Sequence, residues 1–164
     1  MAANYTSTGA DTFPAGVVRS FAVARALSNI VLTTTYQDVG SMTITVTPKT
    51  TSSKFWVAAL MHVYLSSDSS DSWQTVWSQI VVTPSGGSSS IIVDDEDFGT
   101  DSYGWGAQNG AAGSRMMQHN LDILHSPSST TAQTYKLRAK ERETAGTLTL
   151  NRFNAGWITV TEIG

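Results

Sequence analysis

Hydrophobic and polar residues alternate with period two along most of this chain, the repeat expected where successive side chains point to opposite faces of a strand. Met42, Ile44 and Val46 alternate with Thr43, Thr45 and Thr47 until Pro48, which lacks a ladder donor, stops the strand. Tyr135, Leu137 and Ala139 alternate in the same way with Lys136, Arg138 and Lys140. Near the C-terminus, Leu148, Leu150, Ile158 and Val160 fall on one face, and Thr147, Thr149, Thr159 and Thr161 on the other. The two segments that carry them, 146–153 and 156–163, are separated only by Asn154 and Ala155, and the spacing predicts a terminal β-hairpin.

The segment from Lys54 to Leu65 breaks the alternation. Phe55, Val57, Ala59, Met61 and Val63 occupy one parity and Trp56, Ala58, Leu60 and Tyr64 the other, so apolar side chains point both ways. Flanking Ser and Thr clusters and the β-branched and aromatic content favour a strand over a helix, and such a strand is expected to be covered on both faces. Its cover on the second face is either the core or a neighbouring subunit, and Trp56, Leu60 and Tyr64 are the candidates for a subunit interface.

Further strands are predicted over 17–25, 30–35, 73–83, 91–93, 115–124 and 132–140, punctuated by turns such as Pro84 to Gly87. Residues 94–113 read as one long loop. Residues 1–15, small and polar apart from Tyr5 and Phe13, read as an extended arm, and 16–164 as one domain. About eight to ten strands at intervals of roughly ten residues predict an all-β, antiparallel β-sandwich of jelly-roll type.

Composition narrows the function classes. The 164 residues suit one domain, and a net charge of −3 with 14% charged residues gives no basic footprint for nucleic acid. Ser and Thr make up roughly a quarter of the chain, as the outer faces of sheets require. With no Cys, neither disulfides nor thiolate-bound metal is expected to hold the fold. No apolar run approaches the ~18 residues of a membrane helix and the N-terminal residues lack a signal-peptide pattern, so synthesis in a cytoplasm without membrane insertion is expected.

Several motifs recur in order from about residue 17 onward: Thr43-Ile-Thr-Val-Thr-Pro48 with Thr51-Ser-Ser-Lys54, Gly110-Ala-Ala-Gly-Ser-Arg115, Asp122-Ile-Leu-His-Ser-Pro127, Thr134-Tyr-Lys-Leu-Arg138, Thr147-Leu-Thr-Leu-Asn-Arg152 and Ile158-Thr-Val-Thr-Glu-Ile163. Together they resemble a family of small virion proteins found in tailed phages of aquatic bacteria. The resemblance implies a jelly-roll-like homotrimer on the virion, made in the host cytoplasm. It would serve as a decoration (cement) protein bound to the major capsid protein, or as the distal part of a tail fibre attached to tail proteins. Residues 68–102 depart from the pattern, and partner choice is expected there.

The absence of a heptad shaft or fibrous repeat favours decoration, with Tyr5 and Phe13 of the arm as head anchors. In the fibre alternative, Trp73, Trp77 and Trp105 are candidates to stack on a host surface glycan, against burial in the core. Asp94, Asp95, Glu96 and Asp97 with Asp101 have the oxygen chemistry of a calcium site but not its spacing, and a solvated loop is the plainer reading. His62, His119 and His125 lie in separate segments without zinc spacing. Asp122 and Glu162 are the only acids on the predicted strands that a glycosidase could pair, and no serine sits in a nucleophile elbow. Neither a cofactor nor an enzymatic activity is expected. The basic set Lys136, Arg138, Lys140 and Arg142 marks a solvated or subunit-pairing face.

Overall fold

The computed structural model describes residues 18–26, 29–67, 73–95, 106–108, 113–142, 147–151 and 154–164. Among them are eleven strands and no helix: β1 (Val18–Ala26), β2 (Ile30–Val31), β3 (Gln37–Val46), β4 (Lys54–Ser67), β5 (Trp73–Pro84), β6 (Ser90–Asp94), β7 (Gly106–Gln108), β8 (Gly113–His125), β9 (Gln133–Glu141), β10 (Thr147–Leu150) and β11 (Gly156–Ile163). The arm over 1–15, with Tyr5 and Phe13, lies outside the described residues. The segment read as a loop over 94–113 is interrupted by β7, which pairs with Trp73–Thr75 of β5. The strand expected over 30–35 shortens to two residues.

The predicted terminal hairpin is not formed. β10 and β11 both run antiparallel to β4, one after the other: Leu150 faces Val63 and Trp157 faces Leu60. Six residues, 151–156, therefore span a gap that two residues, Met61 and His62, span on β4. Asn151 makes the break. Its N–H donates to the His62 carbonyl (2.7 Å), its Oδ1 accepts from the His62 N–H (3.1 Å), and its φ of +55° is one that Asn tolerates better than most residues. Gly156 closes over it, because a Cβ there would lie 2.6 Å from Asn151 Oδ1 and 2.9 Å from the Leu60 carbonyl. Alternation correctly assigned faces here, but it carries no information about which strand lies alongside.

β1 and β2 lie along β11 and β10 in the same interrupted way, with Ala26 opposite Gly156 and Ile30 opposite Leu150. β6 and β7 both pair antiparallel with β5, at Gln79–Val82 and at Trp73–Thr75. Joining these three pairs reduces eleven strands to eight ribbons in two antiparallel sheets. The first sheet has the order β1/β2, β10/β11, β4, β8, and the second the order β3, β9, β5, β6/β7. The first ribbon thus pairs with the last, the second with the seventh, the third with the sixth and the fourth with the fifth. This nested order is a jelly roll.

The inner faces meet in one core. Phe55, Val57, Ala59, Met61 and Val63 of β4 and Leu148, Leu150, Ile158 and Val160 of the adjoining ribbon pack against Met42, Ile44, Ile80, Val82, Tyr135, Leu137 and Ala139 of the second sheet. Each large side chain buried in this way contributes on the order of 1.5–3 kcal/mol. β9 alternates strictly between buried and half-buried positions, as its sequence predicts. At one end of the sandwich, Glu162 joins three segments. Its buried carboxylate accepts from Ser20 Oγ on β1 (3.0 Å), from Ser53 Oγ (2.6 Å) and from the Lys49 N–H (2.8 Å) in the β3–β4 turn.

Candidate functional site

The outer face of the first sheet carries the second apolar side of β4, for which the sequence allows cover by the core or by a neighbouring subunit. One side of that strand is core; on the other, Trp56 is 52% exposed, Leu60 and Tyr64 are half-buried, and His62 between them is buried. The register extends Trp56 into a row across the whole sheet, Phe21 on β1, Thr161 on β11, Trp56 on β4 and Leu124 on β8. Phe21 and Leu124 are 51% and 55% exposed. A second row runs Val23, Thr159, Ala58, Asp122, and a third Arg25, Trp157, Leu60, Asn120. Val18 and Val31, also exposed, extend the patch along the edge. Of the three interface candidates, Trp56 and Leu60 share this patch, and Tyr64 lies two rows further along β4, beyond His62, between Thr149 and Met116. A contiguous exposed apolar patch of this kind marks a contact surface more often than a solvated one.

The outer face of the second sheet is closed by its own side chains. Lys140 Nζ lies 4.4 Å from the centroids of both Tyr36 and Trp77, and the guanidinium groups of Arg138 and Arg142 approach the Tyr36 and Trp77 rings at 5.9 Å. Lys136 Nζ pairs with Asp38 Oδ2 at 2.8 Å, and Arg138 Nη2 donates to the Tyr36 carbonyl at 3.0 Å. Gln79 and Val81, on the same face of β5, are buried beside Arg138 and Lys136, consistent with long basic side chains laying their methylenes over the sheet. Trp77 therefore already stacks on cations. Trp73 lies on β5 opposite Gln108, and Trp105 lies outside the described residues.

Three polar pairs involve histidines, two inside the sandwich and one, His62 with Gln118, on the outer face of the first sheet. His119 Nε2 on β8 is 2.8 Å from Asp95 Oδ2 and 2.7 Å from Ser78 Oγ on β5. Burial pulls the His119 imidazole down to about 4, and burial, with Asp94 second, pushes the Asp95 carboxyl up to about 6, so both neutral forms are favoured. The residue types are those of a hydrolase triad, but both contacts converge on one ring nitrogen, whereas a triad needs both. His125 Nδ1 meets Tyr135 Oη at 2.9 Å; burial lowers the first group and raises the second. His62 Nε2 meets Gln118 Nε2 at 3.2 Å. Sequence reasoning missed these pairings because each joins different strands, and alternation within a strand does not say which residue of another strand lies alongside.

The remaining candidates separate. Asp122 is exposed on the outer face and Glu162 buried on the inner one, so they do not form a carboxylate pair. Asp94 accepts from Gln79 Nε2 (3.2 Å) while Asp95 turns to His119, and Glu96, Asp97 and Asp101 lie outside the described residues. Among the described residues no cluster of three or more metal-ligating side chains occurs. An open groove of about 420 Å³ lies at the Glu162 end, lined by Pro84, Gly87, His125, Pro127, Thr131 and Gln133 among others.

A scan against protein-family models and a search of the curated proteins each find no match. Among solved structures, the chain is similar to one from the infectious bursal disease virus VP2 subviral particle, with 13% identity, a TM-score of 0.49, and coverage of 96% of this chain and 37% of that one. It is similar to one from the T13 particle of the same virus, with 11% identity, a TM-score of 0.43, and coverage of 98% and 40%. Dimeric latent PorU from Porphyromonas gingivalis matches with 14% identity, a TM-score of 0.33, and coverage of 99% and 14%. The chain thus spans about two fifths of the length of the viral chains. The jelly-roll assignment rests on the strand order described above.

Proposed function

We propose that this protein is a phage virion structural subunit, a decoration protein of the head that assembles with copies of itself through the outer face of its first sheet. The observation that carries the reading is the transverse row Phe21, Trp56, Leu124, whose three large apolar side chains are each about half exposed on a sheet that is otherwise complete. A jelly roll with one outer face closed by its own side chains and the other exposing this row is suited to tiling, and the order of sequence motifs from residue 43 to residue 163 supports a virion setting. Residues 1–15, with Tyr5 and Phe13, are assigned to the major capsid protein. Such a subunit strengthens a shell by adding contacts that exist only after assembly.

The test is binding of the purified chain to phage heads stripped of it and, in parallel, to intact host cells. Saturable binding to heads that is lost on deletion of residues 1–15, with the domain still folded, is the expected result. Binding to cells instead, abolished by Trp73→Ala or Trp105→Ala, would replace this reading with a receptor-binding fibre module.

A further inference from the structure

We infer that the occupant of the first sheet's outer face is the same face of a second copy, related by a two-fold axis running parallel to the strands. This deepens the self-assembly part of the proposal above and rests on it. Such an axis reverses the ribbon order, so that β1 of one copy lies over β8 of the other and β11 over β4. The consequences follow from the register. Phe21 meets Leu124 of the second copy at both edges, apolar on apolar.

In the middle, the column Trp56, Ala58, Leu60 on β4 lies over Thr161, Thr159, Trp157 on β11 of the second copy. The largest residue of each column falls opposite a smaller one, Trp56 over Thr161 and Trp157 over Leu60, with the small pair Ala58 and Thr159 between them. Two copies can then interdigitate without colliding rings.

Charge agrees with size. The described charged side chains on this face are Arg25 near the β1 edge, Asp122 near the β8 edge and Lys54 at the end of β4. Reversal brings Arg25 of each copy to the edge that carries Asp122 of the other, one row away, which a guanidinium side chain spans. Two complementary edge pairs form and no like charges are apposed, whereas an apolar face meant for a foreign surface has no need of opposite charges at matched edges.

Area sets the strength. Four ribbons about 4.8 Å apart and about eight residues long at ~3.3 Å each give a face on the order of 500 Å² per copy, or about 1,000 Å² for the pair. That is the lower limit of a specific interface, so the dimer is a reversible one. The geometry differs from the trimer that the sequence resemblance implies.

Sedimentation equilibrium of the full chain from about 1 to about 200 µM tests this, with a monomer–dimer equilibrium expected. Trp56→Glu should leave the circular dichroism unchanged and weaken dimerisation by at least about tenfold. Arg25→Asp and Asp122→Arg should each weaken it by about three- to tenfold, and the double exchange should restore it to within about twofold, a rescue that general damage to the fold cannot produce. A trimer, a monomer across the whole range, or a double exchange as weak as its singles overturns the two-fold packing. Because head binding is read in a separate assay, its failure would overturn the virion role while leaving the dimer measurement standing.

Discussion

The two outer faces of the sandwich share an architecture and differ in how they meet solvent. On the second sheet, Lys140 sits between Tyr36 and Trp77 while Lys136 and Arg138 gather around Asp38, so aromatic and apolar surface is covered by the cations beside it. On the first sheet, Phe21, Trp56 and Leu124 stand in a row with only Thr161 among them. Both faces carry aromatic residues, so aromatic content does not distinguish a binding face from an inert one. What distinguishes them is whether the neighbouring strand supplies a side chain long enough to lie across the ring.

The sharpest way to break the comparison uses adjacent residues of β4. Phe55, fully buried against Tyr135, should cost about 3–5 kcal/mol as Phe55→Ala in urea unfolding of the dilute monomer. Trp56→Ala, one residue on, should change the same measurement by no more than about 0.5 kcal/mol. Comparable losses would mean that Trp56 is held within its own chain. The two carboxylates give the next contrast. Glu162→Ala removes the acceptor of three hydrogen bonds and should cost about 2–3 kcal/mol by thermal unfolding, whereas Asp122→Ala on the exposed face should be near neutral. On the closed face, Lys140→Met keeps the stem but removes both cation–π contacts, with an expected loss of about 1–2 kcal/mol and no change in self-association.

The smallest effect concerns the interior pair between the faces, where the pH dependence has two opposing signs. His119, depressed from 6.5 to about 4, contributes stability that is present above pH 6.5 and lost as pH falls toward 4. Asp95, raised from 3.8 to about 6, contributes stability that is present below pH 3.8 and lost as pH rises through 6. Between pH 4 and 6 the two slopes oppose each other. Asp95→Asn should therefore uncover a stability that rises with pH across this window, and His119→Gln one that falls. Unfolding free energies at pH 4, 5 and 6 decide it, and slopes of the same sign in the two variants would refute the assignment.

Most strand faces were legible in the sequence because burial acts through period two: β9 and the inward residues of β3, β4 and β11 follow their alternation residue by residue. Pairing was less legible. The hairpin expected between 146–153 and 156–163 fails because Asn151 accepts the positive φ and bonds across to His62, a partner 89 positions away. The half-exposed character of Trp56 follows from what lies over β4, which no local pattern encodes. Phe21 and Leu124 enter the patch for the same reason: only the register sets them beside Trp56. The alternating basic residues of β9 marked an outward face, but the rings they cover come from Tyr36 and Trp77 on the two flanking ribbons.

The pairing of the first ribbon with the last also fixes an order in time. Val18 lies opposite Ile163, so β1 waits for a partner made 145 residues later. At about 5–20 residues per second that delay is roughly 7–30 s. Meanwhile the innermost hairpin, β5 with β6, has its partner at hand, and each pair further out in the nest needs residues made later, ending with β11 between β1 and β4. The first sheet, which carries the exposed row Phe21, Trp56 and Leu124, is thus the last to be completed, so the surface proposed for self-association exists only once the rest of the fold is in place.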